Sequence, residues 1–286
     1  MLKTILILKL LLVQIIGTNI FQMNKVFAFI PYYSLPSKDF LNKNGKELGK
    51  NAYQLLYFGQ IKEGLALAKL AVSLNIKDEN LWALLAEAQI SNKLYNEALL
   101  SLSKGKSINP SISGLYFAES SIYLNQKKIQ KAKNSLSKGL SLQPNNTNGL
   151  FQLGNIFLIE KKYEKALLEY KKIVKIKSNF WQAYNNKGLI YFELDKSLLS
   201  IQNFEKAIAI ERNAEPLLAL AVALKNTNLE KSFNLTKEAL EKDPKYVSFE
   251  YRKEQLWGQK LQNETEKLFK QEKIKTYINE ANLYKN

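Results

Sequence analysis

The chain has 286 residues, 46% of them hydrophobic, and its 42 Lys and Arg against 26 Asp and Glu give a formal charge of +16. It contains neither His nor Cys, which excludes a Ser-His-Asp triad, a thiol nucleophile, a His/Cys zinc site, a redox pair and the acylated cysteine of a bacterial lipoprotein. The apolar content is ample for a buried spine, and only 12 Gly and 6 Pro favour long helices joined by short turns.

Residues 1–28 have the pattern of an export signal. Lys3 gives a basic start, Ile5 to Phe21 is mostly apolar with Lys9, Gln14 and Asn19 interrupting it, and Val26-Phe27-Ala28 fits cleavage after Ala28. The alternative is an uncleaved membrane anchor, for which about 17 residues is the lower limit of a span. Residues 29–44 are expected to be an extended lead-in segment, because Pro31 and Pro36 disfavour helix. With Tyr32 and Tyr33 as anchors, it is expected to lie along the first repeat and cover its apolar end.

From there the chain repeats. Residues 45–78 carry Leu48, Ala52 and Leu55 on one helical stripe and Gly64, Ala68 and Ala71 on the next, with Gly59 at the expected turn. Residues 79–112 open with Trp82, Leu85 and Ala86, continue with Ala98, Leu102 and Gly105, and close at Pro110. Residues 113–146 carry Tyr116, Ser120, Tyr123, Ala132 and Leu136 and close at Pro144, 34 residues after Pro110. Adding 34 again gives Leu150, Gly154, Phe157, Ala166 and Tyr170 in 147–180, and once more Tyr184, Gly188, Tyr191, Ser200 and Phe204 in 181–213. Ala98, Ala132 and Ala166 mark where two helix backbones must approach closely. A sixth unit, 214–246, carries Leu217, Leu220, Ala221, Ser232 and Ala239 and is one or two residues short, consistent with a deletion near Asn226–Leu229. Residues 247–272 are expected to form one amphipathic capping helix, with Trp257 stapling it to the sixth unit, and the tail to 286 is polar.

A period of 34 with large–small–aromatic then small–large spacing resembles the tetratricopeptide repeat (TPR), over roughly Gly45 to Tyr246. Glu119 and Lys187 stand where leucine is usual, and Ser178 and Arg212 at the closing proline. The resemblance implies an all-α, right-handed superhelical solenoid of about six helix-turn-helix repeats plus a C-terminal capping helix. It also implies a concave groove lined by first helices, which holds an extended peptide or a partner helix. The groove positions are Tyr53 and Tyr57; Asn80 and Glu87; Phe117, Ser121 and Asn125; Asn148, Phe151 and Asn155; and Gln182, Asn185 and Phe192. The lysine–arginine–asparagine clamp of the chaperone-binding members is not visible at Gly49, Lys50, Tyr53, Ala83, Leu84 and Glu87. Amides mixed with aromatic rings suit an extended peptide, the amides pairing with its backbone. Phe151 and Phe192 are equally accounted for as packing between repeats, and Asn155 and Asn185 are the stronger groove candidates.

The layout is similar to exported TPR proteins of cyanobacteria and plastids, some of which help assemble photosystem complexes at the thylakoid. The reading is therefore a non-enzymatic protein-interaction scaffold, exported to a periplasm or lumen or attached to a membrane. Its partner would be a peptide or helix of a membrane-complex subunit, with no cofactor, metal or small-molecule substrate. The alternative is a lysine-rich peripheral protein binding anionic membrane or nucleic acid. Only Arg212 and Arg252 are arginine, and arginine is the residue suited to bidentate recognition of bases and phosphates. A solvated lysine surface therefore outweighs nucleic-acid binding, and docking on lipid headgroups stands between the two. An enzyme has no leftover domain to occupy: Glu250 and Glu254 are an i,i+4 pair of the kind found on any helix surface.

Overall fold

The computed structural model describes residues 35–283, and their side chains as far as residue 279. The export-signal pattern and residues 29–34 of the lead-in segment, with Tyr32 and Tyr33, lie outside the described residues. The chain divides into two compact units, 1–41 and 42–286; in the first, only 35–41 are described.

Fifteen α-helices and one 3-10 turn follow each other, with no strand among the described residues. They are α1 (Lys38–Tyr57), α2 (Ile61–Leu74), α3 (Glu79–Ser91), α4 (Tyr95–Ile108), α5 (Ser113–Asn125), α6 (Ile129–Leu142), α7 (Thr147–Ile159), α8 (Tyr163–Ile176), α9 (Trp181–Glu193), α10 (Ser197–Ile210), α11 (Ala214–Leu224) and α12 (Leu229–Lys242). The 3-10 turn Pro244–Val247 then leads to α13 (Phe249–Glu254), α14 (Gln259–Phe269) and α15 (Glu272–Leu283). Each odd helix from α3 to α11 pairs with the even helix after it, and each even helix packs on the next odd one, while α1 meets α2 at Gly45 and Gly64, the consecutive helix-turn-helix packing of a solenoid.

The turn inside each of the first five repeats is built the same way. Gly59, Lys93, Lys127, Lys161 and Asp195 sit 34 residues apart, each with φ between 56° and 78°. The residue after each donates its N–H back across the turn, as in Leu94 to Gln89 and Lys128 to Tyr123, both at 2.8 Å. The left-handed residue's own N–H reaches a carbonyl three residues back, as in Lys93 to Ile90 at 2.8 Å. This pair of bonds satisfies two end carbonyls of the first helix and reverses the chain. Only Gly59 takes the left-handed conformation without steric cost.

Small residues set the helix spacing. Ala98, Ala132 and Ala166 are fully buried. Ser200 and Ser232, at the equivalent place, are buried too, and their hydroxyls donate to Gly188 O (3.0 Å) and Ala221 O (2.7 Å) of the facing helix. A hydroxyl is tolerated there because the opposing backbone supplies its acceptor. The fully buried rings of Tyr170 and Phe204 lie over Gly154 and Gly188, where an added Cβ would come within 2.5 Å of a ring carbon. In repeat six α11 has 11 residues where α9 has 13.

Two expectations are corrected. Helix begins at Lys38, inside the 29–44 stretch expected to be extended. Pro36 does keep helix from continuing towards the N-terminus, but Ser37 immediately caps a new one, its Oγ accepting from Phe40 N at 3.2 Å. The cap, expected as a single helix, is broken into α13, α14 and α15. Leu256 at φ 66° ends the first piece, and Gly258 leads into α14 where any side chain would collide with the Glu193 carboxylate. Arg252, with no solvent exposure, holds the pieces together. Its Nε donates to Gln262 Oε1 (2.8 Å), its Nη1 to the carbonyls of Tyr246 (2.7 Å) and Val247 (2.9 Å), and its Nη2 pairs with Glu266. A buried guanidinium is tolerable only when satisfied in this way.

Candidate partner-binding groove

First helices of neighbouring repeats touch each other, α3 with α5 and α9 with α11, so one face of the array is made of first helices. At repeats one to three this face holds an open trough of about 990 Å³. Its floor is Leu81, Leu84, Ile90, Leu102, Ile112 and Leu115. Gly49 lets α1 lie close over Leu81, where an added Cβ would come within 2.5 Å, and the lining also includes Lys46, Lys50, Tyr53, Asn80 and Glu87 at the rim. Asp78 caps α3 by accepting from Asn80 N at 3.0 Å, which fixes one end of the rim.

The sequence-predicted groove residues fall into three groups along this face. Tyr53, Asn80 and Glu87 line the trough, and all three are exposed. Tyr57 is 77% exposed just beyond it, its ring against Phe58 at 5.4 Å. An exposed pair of this kind adds apolar surface to the rim.

The middle group is mostly engaged within the array. Phe117 fills the space above Gly139 and Gly149 and packs in the core of repeats three and four. Phe151 packs against Phe180 (5.3 Å) and Tyr170 (5.9 Å). Ser121 donates to Phe117 O and accepts from Gln152 Nε2, both at 3.1 Å. Asn125, exposed, donates to Ser121 O at 3.1 Å, and Asn148 is exposed at the start of α7. Asn155 accepts from the Tyr170 hydroxyl at 2.7 Å and from Asn186 Nδ2 at 2.9 Å.

The third group is covered by the chain itself. α14 packs on α9 and α11, so it occupies the first-helix face of repeats five and six. The Glu193 carboxylate accepts the N–H groups of Leu261 (2.9 Å) and Lys260 (3.3 Å) at the start of α14, where a negative charge meets unpaired donors. Lys260 Nζ pairs with Asp195 and stands 6.0 Å from the Phe192 ring. Asn185, expected to face a ligand, is 1% exposed, its Nδ2 3.3 Å from Asn186 Oδ1. Gln182 is half-buried beside it on α9.

Asn185, Trp257 and Tyr246 converge on Glu215, in the first turn of α11. The Trp257 indole donates to Glu215 Oε1 at 3.2 Å. Enclosure of this carboxylate raises its pKa to about 7, against the pull of the three donors. Burial, with the Glu215 charge second, pushes the Tyr246 hydroxyl far above the usual tyrosine range. Lys46, Lys50 and Leu84 in the trough, and Glu193 and Glu215 under the cap, were not singled out as groove residues from sequence. The only signal for Glu215 is an acid at the start of an otherwise apolar helix, and none marks Glu193.

Among the described residues no group of three or more Asp and Glu is placed to hold a metal ion, and no helix is long and apolar enough to cross a membrane.

Comparison with known families and structures bears on the fold. Family models described as tetratricopeptide repeat match residues 113–146 and 182–213, and a further TPR repeat model matches 154–195. Residues 113–146 and 154–213 therefore carry tetratricopeptide repeats. Among solved structures it is similar to PilF of Pseudomonas aeruginosa, at 16% identity and a TM-score of 0.62, over 76% of this chain and 98% of that one. It is similar to PilW, a type IV pilus biogenesis factor, at 16% identity and 0.60, over 77% and 97%. It also resembles MamA (residues 41 to the end) of Desulfovibrio magneticus RS-1, at 17% identity and 0.53, over 63% and 98%. At these identities the likeness is one of fold. No curated protein sequence matches the chain.

Proposed function

We propose that this protein is a non-enzymatic scaffold that holds a segment of a partner protein in the open trough of repeats one to three. The observation that carries this reading is the contrast along one face. At repeats five and six the first-helix groove is filled by the chain's own α14, seated on Glu193. At repeats one to three the same face has an apolar floor and a charged rim; among the described residues no helix covers it, and Lys50 and Glu87 make no ion pair. Apolar floor with polar rim is the usual anatomy of a protein interface, and a trough of this length accepts an extended peptide or one face of a helix.

Tyr53, Asn80 and Glu87 are the contact residues of this reading, with Leu84 beneath them. The export-signal pattern at 1–28 and the cysteine-free, lysine-rich composition support a place at or across a membrane, and an assembly role for a membrane complex, such as a photosystem, follows from that layout. A type IV pilus biogenesis factor shares the fold.

The test is purification of the full chain with its cross-linked partners, wild type beside Leu84→Glu and Leu198→Glu. Leu84 is in the trough floor and Leu198 is 69% exposed on α10, away from the trough. A carboxylate in the floor is expected to remove the partner and leave the helical content unchanged, while L198E retains it. Equal recovery by both variants would refute the trough as the binding site.

A further inference from the structure

From repeat two onward, the seventh position is apolar in repeats two, four and six, as Leu85, Leu153 and Leu220, and charged in repeats three and five, as Glu119 and Lys187, while repeat one has Asn51 there. In repeat three the charge is neutralised internally. Glu119 accepts from Lys106 Nζ at 2.6 Å and from Ser135 Oγ at 2.7 Å, and Lys106 stands 5.2 Å from the Tyr116 ring.

Repeat five keeps the ring, has Val174 at the place of Lys106 and a lysine at the place of Glu119, and gathers its cations from other positions. Lys187 on α9 is half-buried, with its Nζ 5.2 Å from the centroid of Tyr184, the counterpart of Tyr116. Lys206 from α10 stands 5.9 Å from the same ring. Burial first, and then the charges of Lys206 and of Lys171 on α8, hold the Lys187 ammonium below the usual lysine range. The acids nearest in sequence to this group are committed elsewhere, Glu169 to Lys172 at 2.9 Å and Glu205 to Lys231 at 3.4 Å. Among the described residues none of Lys171, Lys187 and Lys206 has an acidic partner. A half-buried cation beside two like charges is costly unless an anion joins it.

We propose that Lys187 and Lys206, beside the Tyr184 ring, form with neighbouring Lys171 a second binding site on this protein, for a carboxylate side chain of an acidic partner-protein segment that supplies from outside the negative charge Glu119 supplies in repeat three. The site draws on α8, α9 and α10 and is separate from the trough of α1, α3 and α5. A partner segment with Glu or Asp thus has an anchor on the array that does not compete with a ligand in the trough. Lysine suits this role because a single compact ammonium tolerates many approach geometries.

The experiment uses the full chain with 13C-labelled lysine side chains, titrated with a capped hexaglutamate peptide at about 0.15 M salt. The Lys187 resonance is expected to shift saturably and its pKa to rise on binding. K187L, which restores the residue of repeats two, four and six, is expected to remain folded with a raised Tm and to bind the peptide about tenfold more weakly. K62L, which removes an exposed lysine of repeat one, is expected to bind as wild type. Equal weakening by K187L and K62L would show a response to total charge and overturn the site. So would a Lys187 resonance that ignores the peptide, or one that responds to phosphatidylserine vesicles and not to the peptide.

Discussion

Glu215 offers a test of how the cap is attached, because its charge state is set by the geometry that holds α13–α15 to repeats five and six. The groups facing it are Asn185 from α9, Tyr246 from the 3-10 turn and Trp257 from the loop before α14, and no cation pairs with it among the described residues. Its charge is also felt by Tyr170 on α8 and Tyr251 on α13. The folded-state pKa is about 7 against a reference of 4.5. The folded protein therefore holds this proton up to a higher pH than the unfolded chain does. Its contribution to stability is full below pH 4.5, falls as pH rises from there to about 7, and is constant above. At about 1.4 kcal/mol per pH unit the loss amounts to about 3 kcal/mol. Glu215→Gln keeps the shape and the acceptor and cannot ionise. Urea unfolding of wild type and E215Q is compared between pH 4.5 and 8, so that the remaining groups, among them Glu79 and Glu238 whose pKa values are lowered, cancel in the difference. The two proteins are expected to match near pH 4.5, and E215Q to become the more stable by about 3 kcal/mol at pH 8. Parallel curves across the whole range would refute the enclosure of this carboxylate.

Three further outcomes follow from the packing. Gly188→Ala places a Cβ 2.5 Å from Phe204 Cε1 in a fully buried site; overpacking of about 2 kcal/mol exceeds the helix-propensity gain of about 1 kcal/mol, so its urea midpoint falls, and a rise would contradict the close approach. Lys127→Gly and Lys161→Gly relieve left-handed backbone at φ 56° and are each expected to stabilise by about 0.5 kcal/mol after the entropy cost of glycine, whereas Gly59→Lys loses a similar amount; denaturation midpoints in the reverse order would dispose of the strain argument. Arg252→Met strands the buried acceptors of Tyr246, Val247 and Gln262 and is expected to cost about 3 kcal/mol, seen as faster proteolytic cleavage between α12 and α14. Cleavage at the wild-type rate would mean the guanidinium does not hold the cap.

The solenoid was legible because its spacing rests on residues with few alternatives. Ala98, Ala132 and Ala166 must be small, and Tyr170 and Phe204 must meet Gly154 and Gly188, so a period of 34 survives in the letters. The left-handed turn residues were legible only at Gly59, since lysine and aspartate at the other four turns announce no special backbone. The cap was read as one helix because its apolar periodicity runs on through Leu256, and nothing local signals that Glu193 will take the start of α14. Groove residues were the least legible. Asn155 and Asn185 are amides on first helices, as a peptide-binding face needs, yet amides on successive repeats can also satisfy each other. Here Asn155, Asn186 and the Tyr170 hydroxyl do so. Phe117 and Phe151 show the same ambiguity for rings, whose burial is decided by the glycines and aromatics of the next repeat. Tyr53, Asn80 and Glu87 stayed on the open face because, among the described residues, no helix packs over them as α14 does over α9 and α11.

The central claim is that this open face receives a partner protein. The most direct measurement is site-specific photo-cross-linking in the native host, with a photoreactive amino acid replacing Tyr53 in one strain and Leu198 in another, and mass spectrometry of the adducts. Tyr53 lines the trough and Leu198 is an exposed position on α10. The account predicts an adduct from position 53 that maps to one segment of one protein, lost when Leu84→Glu is introduced, and no such adduct from position 198. The same adducts from both positions, or an adduct at 53 that survives L84E, would contradict it.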